Sequence, residues 1–342
     1  MKRILPYLLP TLGSVLLLAL VAGSMAMGPR MLNIDGDLGR HLTIGAYILD
    51  TGQVPRTDLF SHTMPGAPLT PHEWLSQVLF ALSYRLFGLS GPVLLAALCV
   101  SFALWLTYRA ALRQSGSLLA ALVCVVLGMA ASSLHWLTRP HIFTFLLLAV
   151  WLAGLERLRQ GRPAWRWMPL LMLAWANLHG AFIAGFAVWG IYGLAYAWER
   201  WIEGRGDDFA PGFGRGFVLC GILSAAATLI NPDGLGLWRT SLGYLGNRYL
   251  VGHTAEYLSP DFHQAAFWPF LIMLALGLGL FGLAGKARRA LDLALFAAWA
   301  GMALISARNI PLFVVSAVPA LALALADTLE RFAPHGRFFA AL

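Results

Sequence analysis

The sequence predicts an all-α protein, a polytopic transmembrane bundle of about ten spans. Three observations carry that prediction. Of 342 residues, 59% are hydrophobic and only 12% charged, where a soluble domain carries roughly a quarter charged residues. The apolar residues gather in runs near the ~20 residues that a crossing requires. The charges between the runs are sorted by sign and type. This composition excludes a disordered chain, a disulfide-rich secreted scaffold and an ordinary cytosolic enzyme.

The elements follow in order along a single transmembrane domain, 1–342. Residues 4–27 form an apolar run too long for a signal-peptide core, and Met-Gly-Pro-Arg is a poor cleavage site, so a retained first span is expected. A long loop follows, 28–72. Within it Leu38, Leu42, Gly45 and Leu49 recur at helical spacing, which predicts an interfacial helix over 38–50. Residues 73–90 are amphipathic and less apolar, a second interfacial helix. Spans are expected near 92–112, 117–135, 141–156, 167–178, 181–198 and 216–230. The run 167–178 is short enough to be a half-helix. A second long loop covers 231–265, opened by the turn sequence Asn231-Pro232-Asp233-Gly234. Spans near 266–284, 290–306 and 310–327 complete the bundle. Cys99, Cys124 and Cys220 lie inside apolar runs and read as small core residues.

Sixteen of the 24 basic residues fall on one set of short loops, among them Arg109, Arg113, Arg157, Arg159, Arg162, Arg166 and Arg215. The positive-inside rule makes that side cytoplasmic, with both termini. It also accounts for the net charge of +8 without any nucleic-acid partner. The opposite side receives eight of the nine histidines, together with Asp35, Asp37, Glu73, Asp233, Glu256 and Asp261. Titratable groups collected on one face of a membrane protein are a functional-site hypothesis by default. The plainer alternative is that loops are polar. These loops are rich in His, Trp and carboxylates, which favours the functional reading.

Five constellations carry candidate chemistry. Asp35-Gly36-Asp37-Leu38-Gly39-Arg40-His41 follows the first span. Two carboxylates there can converge on one cation or one hydroxyl, and one of them can act as general base; equally, Asp37 can cap the helix that follows. His72-Glu73 opens the amphipathic helix, and Ser76 stands where a zinc-type HExxH would need its second His. In His135-Trp136-Leu137-Thr138-Arg139-Pro140-His141, Arg139 is either a phosphate ligand or an interfacial anchor beside Trp136. Trp175-Ala176-Asn177-Leu178-His179-Gly180 puts Asn and His between apolar runs, as ligand groups or as the bonds of a helix reversal. Asn231-Pro232-Asp233-Gly234 and then Glu256-Tyr257-Leu258-Ser259-Pro260-Asp261-Phe262-His263 bring further carboxylates and an imidazole to that face, and Arg308-Asn309 returns to the same side. Walker, Rossmann and Gly-x-Ser-x-Gly patterns are absent.

Taken together, Asp-Gly-Asp-Leu-Gly-Arg-His-Leu, Thr-Gly-Gln-Val-Pro-Arg-Thr-Asp, His-Glu-Trp-Leu, Thr-Arg-Pro-His, Trp-Ala-Asn-Leu-His-Gly and Ser-Pro-Asp-Phe-His resemble the GT-C superfamily of membrane glycosyltransferases. The likeness is nearest to bacterial proteins of the polyprenyl-phosphate-sugar type and spans roughly residues 30–310. It implies a GT-C-like fold in the bacterial cytoplasmic (inner) membrane. It implies transfer of a sugar from a polyprenyl-(di)phosphate carrier to a glycan, lipid or protein acceptor on the outer face. The first-loop acid is the expected base, which falls on Asp35 or Asp37. By their chemistry Arg40, Arg139 and Arg308 would hold phosphate. His41, His72, Glu73, His141, Asn177, His179, Asp261 and His263 would position substrate. No metal ligand is assigned; if Mg or Mn takes part, Asp35 and Asp37 would bind it. Other partners would be membrane lipid and, if the chain is instead a catalytically silent GT-C-like accessory subunit, a larger membrane complex. The absence of a soluble domain after Leu342 speaks for that alternative, and the intact acidic motif against it. A transporter is the third reading, disfavoured because the spans are nearly free of charge.

Overall fold

A computed structural model describes residues 11–34, 36–204, 209–283 and 289–332. Asp35 lies outside the described residues, as do the first ten residues of the chain. Among the described residues the protein is helical, and the only β pairing is an isolated bridge between Thr57 and Pro68.

Helix α1 covers Leu12–Ala26, and its first turn is closed by Thr11, whose hydroxyl accepts from the Ser14 amide at 3.2 Å. The short α2, Gly28–Asn33, follows. Next come α3 over Leu38–Thr51 and α4 over Trp74–Phe87, where two amphipathic helices were expected. They pack side by side. The approach is close because α3 carries Gly45 at the crossing: a Cβ there would stand 2.0 Å from the Gln77 carbonyl oxygen of α4. Gly45→Ala must therefore push the helices apart, an overpacking expected to cost about 1–3 kcal/mol. A lowered melting temperature of the purified protein would report it, and an unchanged one would refute the crossing.

The bundle proper contains α5 (Ser90–Ser115), α6 (Leu118–Ser132), α7 (His141–Arg159), α8 (Met168–Leu178), α9 (Ile183–Trp201), α10 (Phe213–Ala227), α13 (Trp268–Leu283), α14 (Ala290–Ile305) and α15 (Ile310–Phe332), with α11 (Gly236–Gly246) and α12 (Arg248–His253) between α10 and α13. The ends follow local chemistry. Gly116 takes a left-handed φ of 66° and stops α5, the conformation glycine adopts without a Cβ penalty. Ser117 then caps α6 by accepting from the Ala120 amide at 3.2 Å.

Six helices among the described residues are long and apolar enough to cross a membrane: α5, α6, α7, α9, α13 and α15, counted with their adjoining 3₁₀ turns where present. Helices α1, α8, α10 and α14 are apolar but shorter. Every described apolar run is thus a helix, while the described helices of full spanning length number six against ten expected spans. The reason is visible in α8, whose 11 residues rise about 16 Å at 1.5 Å each, half of a ~30 Å hydrocarbon core. Its run ends at Asn177 and His179, whose polar atoms need partners.

Helices α5, α7 and α15 form the centre, and α15 packs on α5, α6 and α14. Trp151, Trp175, Phe182 and Phe313 are fully buried there. The least buried spans are α9 and α13, which turn Leu194 and Leu278 outward, as lipid contact allows. The loop 231–265 differs from expectation: it holds α11 and α12. Their apolar residues are too few and too mixed with Gly, Thr and Tyr to stand out as a periodic stripe.

Candidate functional site

Three breaks between helices build the site, all at the end of the bundle where the 28–72 and 231–265 segments lie. Thr138, between α6 and α7, donates its amide (3.3 Å) and its hydroxyl (3.1 Å) to the Met31 carbonyl of α2. That double bond sets the adjoining Arg139 against Asp37, at the start of α3. Arg139 Nη2 pairs with Asp37 Oδ2, and its Nη1 donates to Glu256 Oε2 at 3.1 Å. Asp37 occupies the N-cap position of α3, but its side chain makes no capping bond. The expectation of Asp37 as a side-chain cap is therefore corrected: the carboxylate is drawn to a guanidinium, a stronger charge-assisted partner than a helix amide.

Glu256 is itself fixed. Its carbonyl accepts from Ser306 Oγ at 3.2 Å, and the Ala307 amide donates to the Leu258 carbonyl at 2.9 Å. These bonds tie the 255–258 turn to the break before α15. Arg308, in the same break, lies over the Tyr257 ring at 4.3 Å and brings Nη1 within 3.9 Å of Glu256 Oε1. On the other side of Asp37, Arg40 spans to Glu73: Nε is 4.0 Å from Asp37 Oδ1 and Nη2 is 3.6 Å from Glu73 Oε2. Glu73 in turn faces His72 Nε2 and His179 Nε2, each at 3.8 Å. The result is one continuous row, Arg308–Glu256–Arg139–Asp37–Arg40–Glu73, in which cations and carboxylates alternate.

Two histidines stand at the end of the row. His72 Nδ1 donates to the Thr70 carbonyl at 3.0 Å, which only accepts, and leaves Nε2 facing Glu73. The Thr144 hydroxyl accepts from Trp175 Nε1 at 2.9 Å and lies 2.8 Å from His179 Nδ1. On its other side His179 turns Nε2 toward Glu73. Tyr244, 5.6 Å from the His72 ring, flanks them; burial raises its phenol pKa, with the Glu73 charge adding to the shift. Thr70 joins the neighbouring segment by donating to Asp233 Oδ2 at 3.2 Å and accepting from Thr240 at 2.9 Å.

Of the sequence candidates, Asp37, Arg40, His72, Glu73, Arg139, His179 and Arg308 come together in this row. Others stand apart from it. Asn177 is a strut: it accepts from Trp74 Nε1 at 2.7 Å and donates to the Leu173 and Ile230 carbonyls at 2.9 Å each. His141 Nε2 donates to the His135 carbonyl at 2.7 Å, closing the Arg139 loop. Asp261 and His263 form their own exposed turn, with Asp261 held below the usual carboxylate range by the Gln264 amide and then by the His263 backbone N–H. Glu256 was visible in sequence as one more loop carboxylate; only its placement beside Arg139 distinguishes it. Among the described residues no three His, Cys, Asp or Glu side chains converge as a metal site. The cation between Asp37 and Glu256 is Arg139.

His41 lies behind the row, 1% exposed and 6.3 Å from the Phe80 ring. Burial is the main cause that lowers its pKa from 6.5 to about 4, against the pull of Glu73. The folded value lies below the unfolded one, so protons favour the unfolded chain. Stability is full above about pH 6.5 and falls as the pH drops toward 4, by up to about 3 kcal/mol at ~1.4 kcal/mol per unit. Between pH 7 and pH 5 the wild type should lose melting temperature that His41→Gln retains; equal losses would refute the assignment.

Compared with protein-family models the chain matches none, and a search of curated proteins finds no match either.

Proposed function

We propose that the protein is a lipid-carrier-dependent glycosyltransferase, moving a sugar from a polyprenyl-(di)phosphate donor to an acceptor on the outer face of a bacterial cytoplasmic membrane. One observation supports this reading above the rest: the alternating row from Arg308 to Glu73, assembled at one end of a membrane bundle. A lipid phosphate suits such a row. It brings negative charge to guanidinium groups that are already presented, and it competes with the carboxylates for them.

That competition supplies a mechanism. As the donor phosphate engages Arg139 and Arg40, Asp37 is released from its ion pairs. Its carboxylate then takes the proton of the acceptor hydroxyl. The acceptor oxygen forms a bond to the anomeric carbon while the bond from that carbon to the phosphate oxygen breaks. The leaving phosphate keeps the electron pair, and Arg40, Arg139 and Arg308 stabilise the charge that develops. Glu73 receives hydrogen bonds from substrate hydroxyls, with the His72 and His179 rings flanking it. Asp35, two residues from Asp37, is the alternative base.

The test compares lipid-linked sugars and surface glycans in cells with the wild-type protein, a deletion, and Asp35→Asn/Asp37→Asn. Accumulated polyprenyl-linked sugar and one missing glycan modification, shared by the deletion and the double variant, are expected. Full rescue of the deletion by the double variant would instead assign the protein to an accessory role in a membrane complex.

A further inference from the structure

The opposite end of the bundle holds a second feature, independent of the sugar-transfer reading. Helix α7 runs from His141 beside the charged row to Arg159 at the far end, and α10 runs back from Phe213. Between the end of α7, the 161–165 turn and the start of α10 lies a cavity of about 290 Å³. Arg162, Trp165, Arg215, Gly216 and Leu219 are among its lining residues. Its volume exceeds what a water or a simple ion needs.

Three properties identify what would fill it. First, the polar lining is cationic: among the described residues neither Arg162 nor Arg215 has a carboxylate within ion-pair distance. The nearby Arg166 and Arg159 are engaged with the Trp165 and Phe209 rings. Second, the cavity lies at the end of α7, one of the helices long and apolar enough to cross a membrane. Its walls end the apolar helices α7 and α10, and Trp165 is the amphipathic residue type that collects at headgroup level. Third, it continues into an apolar track. Arg215, Leu219 and then Ile222 and Leu223 follow one another at helical spacing on α10. Ile222 is 61% and Leu223 41% exposed, apolar surface that no other part of the described bundle covers.

We propose that this cavity binds the phosphate of an anionic membrane phospholipid, held between Arg162 and Arg215, with an acyl chain lying along Leu219, Ile222 and Leu223. The phosphate chemistry is shared with free inorganic phosphate. The apolar track, which a soluble anion would not use, selects the lipid.

The test is lipid retention by the purified, detergent-delipidated protein, read by native mass spectrometry. Phosphatidylglycerol, phosphatidylcholine and inorganic phosphate are the probes. Phosphatidylglycerol should bind the wild type in preference to phosphatidylcholine. Arg162→Gln/Arg215→Gln should weaken this binding by about fivefold per arginine, the effect of ~1 kcal/mol for each basic group at a lipid surface. Arg30→Gln/Arg56→Gln removes the same charge at the opposite end of the bundle, where both side chains are exposed, and should leave binding unchanged. Arg162 and Arg215 are both exposed, so the variants should fold, and an unaltered melting temperature in phosphatidylcholine checks this. Equal retention by wild type and the Arg162/Arg215 variant, or equal loss in the control pair, would overturn the proposal. Displacement of phosphatidylglycerol by millimolar inorganic phosphate would overturn the lipid assignment.

Discussion

Asp37→Asn is expected to lower sugar transfer by about 10²–10⁴-fold, the range contributed by a positioned general base. The substitution keeps size and hydrogen-bonding capacity and removes only the negative charge. The fold should survive, because Arg139 keeps Glu256 at 3.1 Å and Thr138 still anchors the loop to Met31. Stability should change by no more than about 1 kcal/mol, since the Asp37 side chain is 39% exposed and exposed ion pairs contribute little. The loss should fall on the rate of transfer more than on donor binding. Removing the carboxylate in fact relieves Arg139 and Arg40 of one competitor, so donor binding should hold or tighten. Single-turnover transfer with a polyprenyl-phosphate sugar, beside a donor-binding measurement, separates the two. Loss of binding with an intact rate would contradict the release of Asp37 by phosphate. Retained transfer in Asp37→Asn but not in Asp35→Asn would move the base to Asp35.

The bundle and one end of its chemistry were legible in the sequence because membrane physics is nearly one-dimensional. An apolar run must become a helix, and charge sorts along the membrane normal. That logic alone gathers Asp37, Arg40, Glu73, Arg139 and Arg308 on one side. Which of them touch was not legible. Asp37 and Arg139 are 102 residues apart, and their meeting depends on Thr138 reaching the Met31 carbonyl. Local reading also assigned Asp37 to the helix start, since neighbours in sequence are the only partners a motif displays. The same limit applied to Asn177, whose three bonds reach α4, its own helix and the end of α10. In the reverse direction, Asp261 and His263 form a tidy local motif that the fold leaves exposed and apart. Glu256 stood in the same run with no role of its own, and its position comes from Ser306 and Ala307, some fifty residues later.

Arg139→Gln should destabilise the protein by about 2–4 kcal/mol, somewhat below the cost of breaking a fully buried pair. The guanidinium is 25% exposed, while Asp37 and Glu256 are 39% and 21% exposed. Without it two carboxylates face each other across the space it filled, and one arm of the link between the 28–37, 138–140 and 255–258 segments is gone. Arg139→Lys should recover only part of the loss. A lysine ammonium is a single point charge, and it cannot present the planar fork that reaches two carboxylates at once. The decisive comparison is Arg139→Gln/Asp37→Asn/Glu256→Gln, which removes the whole charged triad while keeping similar volume. Its melting temperature should lie above that of Arg139→Gln alone, because the two facing carboxylates are gone, Arg40 keeps Glu73, and Arg308, at 27% exposure, is left to solvent. Sugar transfer should stay lost in the triple variant, since both the proposed base and the proposed phosphate ligand are absent. A triple variant less stable than Arg139→Gln would mean that Arg139 acts through packing of its stem, and the electrostatic account of the row would fail at its centre.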